Sequence, residues 1–245
     1  MSLFQLRQTV LLLITATIWG LSFVAQSVGM DHVGPFTFTA SRMFLGALVL
    51  LPFVLWNRSR LAASNPAEHA RRTSPAYMKM LLLGGAACGL CLFGGESLQQ
   101  FGLVHDTEVG KAGFITALYI VLVPIFGIFL KKRVPKAVWV SVLLAVAGLY
   151  CLCITESFTV APGDLCVMLC AFVFTAQILL VDHFVTVVDG IELSCCQFFF
   201  VTAFSLIGSL LFEHPTWAGL TMAAGAILYA GLLSSGVGYT LQILA

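Results

Sequence analysis

Charged side chains are scarce in this sequence. Asp, Glu, Lys and Arg make up 9% of the 245 residues, against roughly 25% in soluble domains. So little polar surface cannot hold a folded chain in water, which excludes an ordinary soluble domain and makes lipid the larger part of its solvent. A basic field is lacking as well: the net charge is +1, so nucleic acid is not an expected partner. The HExxH and GxxxxGK[ST] motifs are both missing, and the only glycines resembling GxGxxG, Gly236 and Gly238, lie inside an apolar run. Without a phosphate-binding loop nothing points to ATP-driven transport on this chain, and no cofactor or metal is expected. The five histidines (His32, His69, His105, His183 and His214) fall in expected loops with no two at ligand spacing. That leaves little for an enzyme that works at the bilayer face, and the chain is read as a non-enzyme.

What is present is apolar. The hydrophobic set accounts for 60% of the residues. All eight cysteines (Cys88, Cys91, Cys151, Cys153, Cys166, Cys170, Cys195 and Cys196) fall within or beside apolar runs. Cys88 and Cys91 have a CxxC spacing without a βαβ setting or a second ligand pair, so they read as small packing residues rather than a redox, zinc or disulfide framework.

A helix needs about 20 apolar residues to cross the hydrocarbon core. That ruler gives eight spans, at 9–29, 36–56, 78–101, 111–130, 137–155, 163–182, 191–212 and 218–242. The first is long enough to span and lacks a convincing cleavage site after it, so it reads as a retained membrane helix rather than a signal peptide. Residues 57–77 read as the one sizeable polar loop. With the N-terminus in the cytoplasm, ten of the twelve Lys and Arg fall inside: Arg7, Arg58, Arg60, Arg71, Arg72, Lys79, Lys131, Lys132, Arg133 and Lys136. Asp31, Asp106, Glu108, Glu156 and Glu213 fall outside, with Lys111 near that edge. This is a strong positive-inside bias. Its weak point is the loop at 182–191, expected on the cytoplasmic side yet devoid of Lys and Arg.

The chain repeats itself faintly. Spans one and two overlay six and seven at an offset of 155, which puts Trp19 on Phe174, Phe36 on Ile191 and Arg42 on Gln197. Span three overlays span eight at an offset of 143, with identities at Ala87/Ala230, Leu90/Leu233, Gly95/Gly238, Leu98/Leu241 and Gln99/Gln242. A unit with an odd number of crossings inserts its second copy upside down. The expected fold is therefore an all-α polytopic membrane protein, an inverted repeat of five-helix units. Residues 1–156 form the first copy and 157–245 an incomplete second one. Spans 111–130 and 137–155 have no mate, and a ten-helix parent lacking its last two helices is expected.

Several stretches resemble the EamA-type drug/metabolite transporters. They are Trp19-Gly20-Leu21-Ser22-Phe23, Ser41-Arg42, Leu98-Gln99-Gln100-Phe101-Gly102-Leu103, and Gly110-Lys111-Ala112-Gly113-Phe114-Ile115-Thr116 leading to Pro124, followed by the basic turn Lys131-Lys132-Arg133. The resemblance covers the whole chain as helix pattern and is sharp only in the first half. It implies a ten-helix secondary carrier in the cell inner membrane, exporting small organic metabolites such as amino acids by alternating access. Its partners would be membrane lipid and a small-molecule solute, and a homodimer is compatible with it. A membrane-embedded enzyme and a non-transporting sensor or assembly partner are the alternatives.

Ionisable groups inside a bilayer are costly and mark sites worth testing. Arg42 and Glu96 each lie about six residues from the outer end of their spans, about 9 Å deep at 1.5 Å per residue. They could form a gate or coupling pair, or could simply offset each other's desolvation. Glu96, Gln99 and Gln100 share one helix face, which should turn from lipid toward the bundle interior, where amides can hold a solute or bond neighbouring helices. Gln242 is the repeat mate of that stripe. Trp19 sits mid-span, away from the interfaces where Trp usually resides, and is either a flat wall for a solute or an indole that needs an acceptor. The expected solute contacts are thus Trp19, Glu96, Gln99, Gln100 and Gln242. Gln26, Gln177, Tyr119 and Tyr239 read as packing groups, and Lys111 as a side chain that snorkels outward. Pro124 should kink the fourth span, and the pair Gly85 and Gly89 should admit a close neighbour.

Overall fold

The computed structural model describes residues 3–105, 107–131, 134–153 and 161–244, and among them the chain is helical with no strand. Asp106, Lys132, Arg133 and Glu156, which enter the charge count, lie outside the described residues. In chain order the helices are α1 (Leu3–Met30), α2 (Pro35–Ser64), α3 (Pro66–Thr73), α4 (Pro75–Val104), α5 (Val109–Thr116), α6 (Tyr119–Phe129), α7 (Lys136–Cys153), α8 (Pro162–Phe184), α9 (Gly190–Phe212), α10 (Trp217–Met222) and α11 (Ala224–Leu228). A π-helical segment (Tyr229–Gly238) and α12 (Tyr239–Leu244) follow. Among the described residues, seven helical segments are long and apolar enough to cross a membrane. The expected span at 137–155 is α7, whose described apolar stretch, Lys136–Gly148, is shorter.

Two expectations need correction. Residues 57–77 are not a loop: α2 runs on to Ser64, and α3 follows after a single residue, Asn65. The Asn65 side chain accepts from the Glu68 N–H and Pro66 occupies the first turn, a strong helix start that a count of polar residues does not see. His69 accordingly lies in α3 and His183 in the last turn of α8 rather than in loops. The fourth span is also interrupted upstream of Pro124, at Ala117–Leu118, where the chain tightens into i→i+3 bonds such as Leu118 N–H to Ile115 O (3.1 Å) and Ile120 N–H to Ala117 O (2.9 Å). Pro124 itself lies inside α6.

The chain forms two compact units, Met1–Leu90 with Leu180–Ala245, and Cys91–Leu179. In the first unit the faint repeat becomes a set of duplicated contacts. One cluster buries Val33, Phe38, Ala223, Ile227 and Ala230, and another buries Tyr77, Leu81, Cys88, Val188 and Leu193. At an offset of 155, Val33 falls on Val188 and Phe38 on Leu193; at 142, Leu81 falls on Ala223 and Cys88 on Ala230. Close helix approaches repeat in the same way. A Cβ on Gly84 would press on Phe184 (2.8 Å) and Leu193 (3.1 Å), and one on Gly29 would press on Phe38 and on Ala226 (3.3 Å). A Cβ on Gly89 would meet Phe200 Cβ (2.8 Å) and Gln197 O (3.0 Å), while one on Gly231 would meet Leu45 Cβ (2.7 Å) and Arg42 O (3.0 Å). Lipid tails are as apolar as leucine, so helices in a bilayer associate through such close packing and through polar contacts rather than by leaving water. The inverted repeat is therefore written in the approaches themselves. It also corrects one register: as far as Gly231, in the first turn of the π-helical segment, the offset between α4 and its mate is 142, so Ala230 matches Cys88 rather than Ala87.

Helices α2 and α9 pair extensively, and each end of the pair is fastened. At one end the Glu213 carboxylate accepts from the backbone N–H of Phe36 (2.7 Å) and Thr37 (2.8 Å) and from the Thr37 hydroxyl (2.5 Å). It lies so close to Gly34 that a Cβ there would overlap it. At the other end Arg58 donates Nε to Glu192 Oε1 (3.0 Å) and a terminal nitrogen to Oε2 (2.7 Å), and the Tyr77 hydroxyl donates to Oε2 (2.9 Å). Asp189 caps α9 by accepting from the N–H groups of Ile191 and Glu192, and pairs with Arg72 at 2.9 Å. The loop that lacks Lys and Arg, together with the first turn of α9, thus meets arginines from α2 and α3 and supplies the acids for them.

Candidate functional site

In the unit Cys91–Leu179, the polar stripe of α4 is turned inward. Glu96 is 5% exposed, Gln99 4% and Gln100 0%. The spacing i, i+3, i+4 puts them on one face, and in lipid that face must find partners. Gln99 donates to the Thr116 hydroxyl of α5 (3.1 Å), and its amide nitrogen lies 4.0 Å from the thiol of Cys170 on α8. Thr116 and Cys170 in turn approach at 3.8 Å. Three helices thereby converge on one amide. At Gly95, the residue before Glu96, a Cβ would stand 2.6 Å from the ring of Phe174.

Near the end of the same unit, Lys111 forms an ion pair with Asp164, which is 3% exposed. Asp164 also accepts from the Thr107 hydroxyl (3.2 Å) and the Ala161 N–H (2.9 Å). Lys111 therefore does not snorkel: a buried carboxylate holds it, which offsets the desolvation of both groups.

In the other unit, Trp19 is half-buried and donates its indole N–H to the Ser234 carbonyl (3.2 Å) in the π-helical segment. Its ring meets Tyr239 at 5.3 Å between centroids, and Tyr239 meets Phe198 edge-on at 5.1 Å. The result is an aromatic wall from three helices. Gln242 is half-buried on α12, one turn beyond Tyr239. Arg42 is 2% exposed in α2, and its carbonyl faces the close approach of Gly231.

The structure thus gathers Glu96, Gln99 and Gln100 in one unit and Trp19 and Gln242 in the other; Arg42 and Glu96, the expected pair, fall in different units. Sequence reasoning missed the side chains that fasten the helices: Asp164, Glu192, Glu213 and Arg58. Each is a charge within about one turn of a span's end, where a hydropathy scan sees only a boundary. Among the described residues no three His, Cys, Asp or Glu gather as a metal site requires.

Residues 7–154 match the EamA-like transporter family. An uncharacterized transporter of Archaeoglobus fulgidus is 31% identical over 175 residues, covering 71% of this chain and 48% of the relative, so the matched stretch spans about half of that protein. The uncharacterized transporter YoaV of Bacillus subtilis (strain 168) is 26% identical over 225 residues, 89% of this chain and 72% of its own length. A solved crystal structure, 21% identical, superposes with a TM-score of 0.66 over 96% of this chain and 78% of the other. That likeness speaks for the fold alone.

Proposed function

This chain belongs to the EamA-like transporter family, and from that premise we propose that it acts in a secondary carrier that exports small organic metabolites, such as amino acids, by alternating access. The observation that carries the reading is the buried stripe Glu96, Gln99 and Gln100. A carboxylate and two amides on one inward face are costly inside a membrane, and such groups mark the paths of solutes and ions. Within its own unit, the aromatic wall of Trp19 and Tyr239 offers a flat apolar surface of the kind a small metabolite can stack on, with Gln242 one turn beyond Tyr239. The two repeats would be residues 1–156 and 157–245. Their odd number of crossings suits a carrier that exchanges two mirror-related states.

The carrier lies in the cytoplasmic membrane with its N-terminus inside. Supporting this, Arg58, Arg71 and Arg72 meet at the same end as the loop before α9, with Arg71 donating to the Val187 carbonyl (3.3 Å). Arginines collect on the cytoplasmic face. Glu96 and Arg42 are the coupling candidates, with Glu96 the proton-accepting group. A membrane-embedded enzyme and a non-transporting sensor are the readings to be separated from this one.

Counterflow of labelled amino acids in proteoliposomes separates them. The chain should show saturable exchange, and Gln99→Leu should reduce it at least about tenfold, the effect of losing roughly one buried polar contact to solute. No exchange across a broad panel of small metabolites, by protein that remains folded, would remove the carrier reading. In the same assay Glu96→Gln should flatten the pH dependence, and an unchanged pH profile would remove Glu96 as the proton site.

A further inference from the structure

The duplicated contacts fix the repeat register near both ends of the π-helical segment, and the two registers differ by one residue. Up to Gly231, in its first turn, Gly84 corresponds to Ala226 and Gly89 to Gly231, an offset of 142. At Gly238, its last residue, the offset is 143. A Cβ on Gly95 would press on the ring of Phe174 (2.6 Å), and one on Gly238 would press on the indole nitrogen of Trp19 (2.7 Å). Trp19 and Phe174 are themselves mates at 155. Six residues lead from Gly89 to Gly95 along the unbroken α4, while seven lead from Gly231 to Gly238 through the π-helical segment.

An extra residue in an α-helix normally turns everything beyond it by about 100°. Here both flanking registers are kept, so the residue is absorbed locally, as the wider i→i+5 turn allows. The local consequence is at Ser234, whose carbonyl accepts the Trp19 N–H at 3.2 Å. The mate of Trp19 is Phe174, which has no N–H to place, and the helix facing it carries no insertion.

We infer that the additional residue between Gly231 and Gly238 is a positioning device: it turns the Ser234 carbonyl out of the helix to receive the Trp19 indole, and so fixes the orientation of that ring against Tyr239. The inserted residue and the indole form one unit, present in one copy of the repeat and absent from the other. This goes beyond the carrier reading. It is tested by readouts other than transport, so either can fail without the other.

The test is a cycle of four chains: the parent, Trp19→Phe, a deletion of Val237, and the two together. Val237 is exposed, so its loss removes little packing. With Trp19 present the deletion should lower the thermal unfolding midpoint in detergent by roughly 5 °C, as expected for stranding a half-buried N–H away from water. In the Trp19→Phe background it should cost less than half as much. Equal losses in both backgrounds would overturn the inference. A second measurement needs no change of length. In ¹⁵N-indole-labelled parent protein, the Trp19 resonance, identified by its loss in Trp19→Phe, should exchange with deuterium far more slowly than an indole open to water. Exchange as fast as that of the exposed Trp217 would overturn the proposal even if the deletion variants do not fold.

Discussion

The two ends of the α2–α9 pair occupy equivalent positions in the repeat and use opposite chemistry. At an offset of 155, Thr37 falls on Glu192 and Arg58 on Glu213. At one end Glu213, the residue that follows α9, accepts from Thr37 at the start of α2. At the other, Arg58 near the end of α2 donates to Glu192 at the start of α9. Donor and acceptor have changed places while the contact is retained. The repeat therefore preserves where helices touch, not which residues touch, and that is why the identities between its copies are so few.

The comparison breaks most easily at Glu192. That carboxylate is 3% exposed and takes the Arg58 fork together with the Tyr77 hydroxyl. Glu192→Ala should cost about 3–5 kcal/mol, because it strands a guanidinium and a phenol where water is scarce. Unfolding of the purified chain, followed by thermal or denaturant melts in detergent, measures this, and Glu192→Gln should recover part of it. Glu213→Ala removes an acceptor of two backbone N–H groups and one hydroxyl but strands no charge. About 1–2 kcal/mol is expected, the worth of a helix cap. A Glu213→Ala loss equal to that of Glu192→Ala would show that the two ends are alike and that the exchange of donor and acceptor carries no energetic difference.

Much of the fold was legible because apolar length is a strong signal. The span boundaries and the inward turn of Glu96, Gln99 and Gln100 follow from periodicity and the cost of polar groups in lipid. Other features were not legible, for physical reasons. The Trp19–Ser234 bond joins residues 215 positions apart through a main-chain carbonyl, which has no letter in the sequence. The one-residue insertion hides because an ungapped comparison of span three with span eight still scores Ala87 on Ala230 by coincidence. Only the packing of Gly84, Gly89 and Gly95 against their partners separates the two registers. The helix α3 was lost to its own polarity, since Arg71, Arg72 and Glu68 look like loop until their i,i+3 and i,i+4 pairing is seen.

That pairing gives the smallest expected effect and the plainest contrast with the buried clasp at Glu192. Hydrogen bonds from Arg71 and then Arg72, all at 2.8 Å, hold the Glu68 carboxyl down to about 2 from its ordinary 4.5. Burial works against the charge of Arg72, but its bond to Glu68 and the nearby Asp189 more than offset this and raise its pKa. A depressed carboxyl contributes stability that is present above its unfolded pKa and lost as pH falls through the folded one. The contribution of Glu68 should therefore disappear between about pH 4.5 and pH 2. Glu68 is at the water-facing surface of α3, so the unfolding midpoints of the parent and Glu68→Gln should differ by no more than about 2 °C at pH 6 and converge near pH 2. The difference should also vanish in about 1 M salt, which screens exposed pairs and spares buried ones. A difference that persists there would mean that α3 is held by packing rather than by its charges, and that it belongs with the Glu192 clasp rather than in contrast to it.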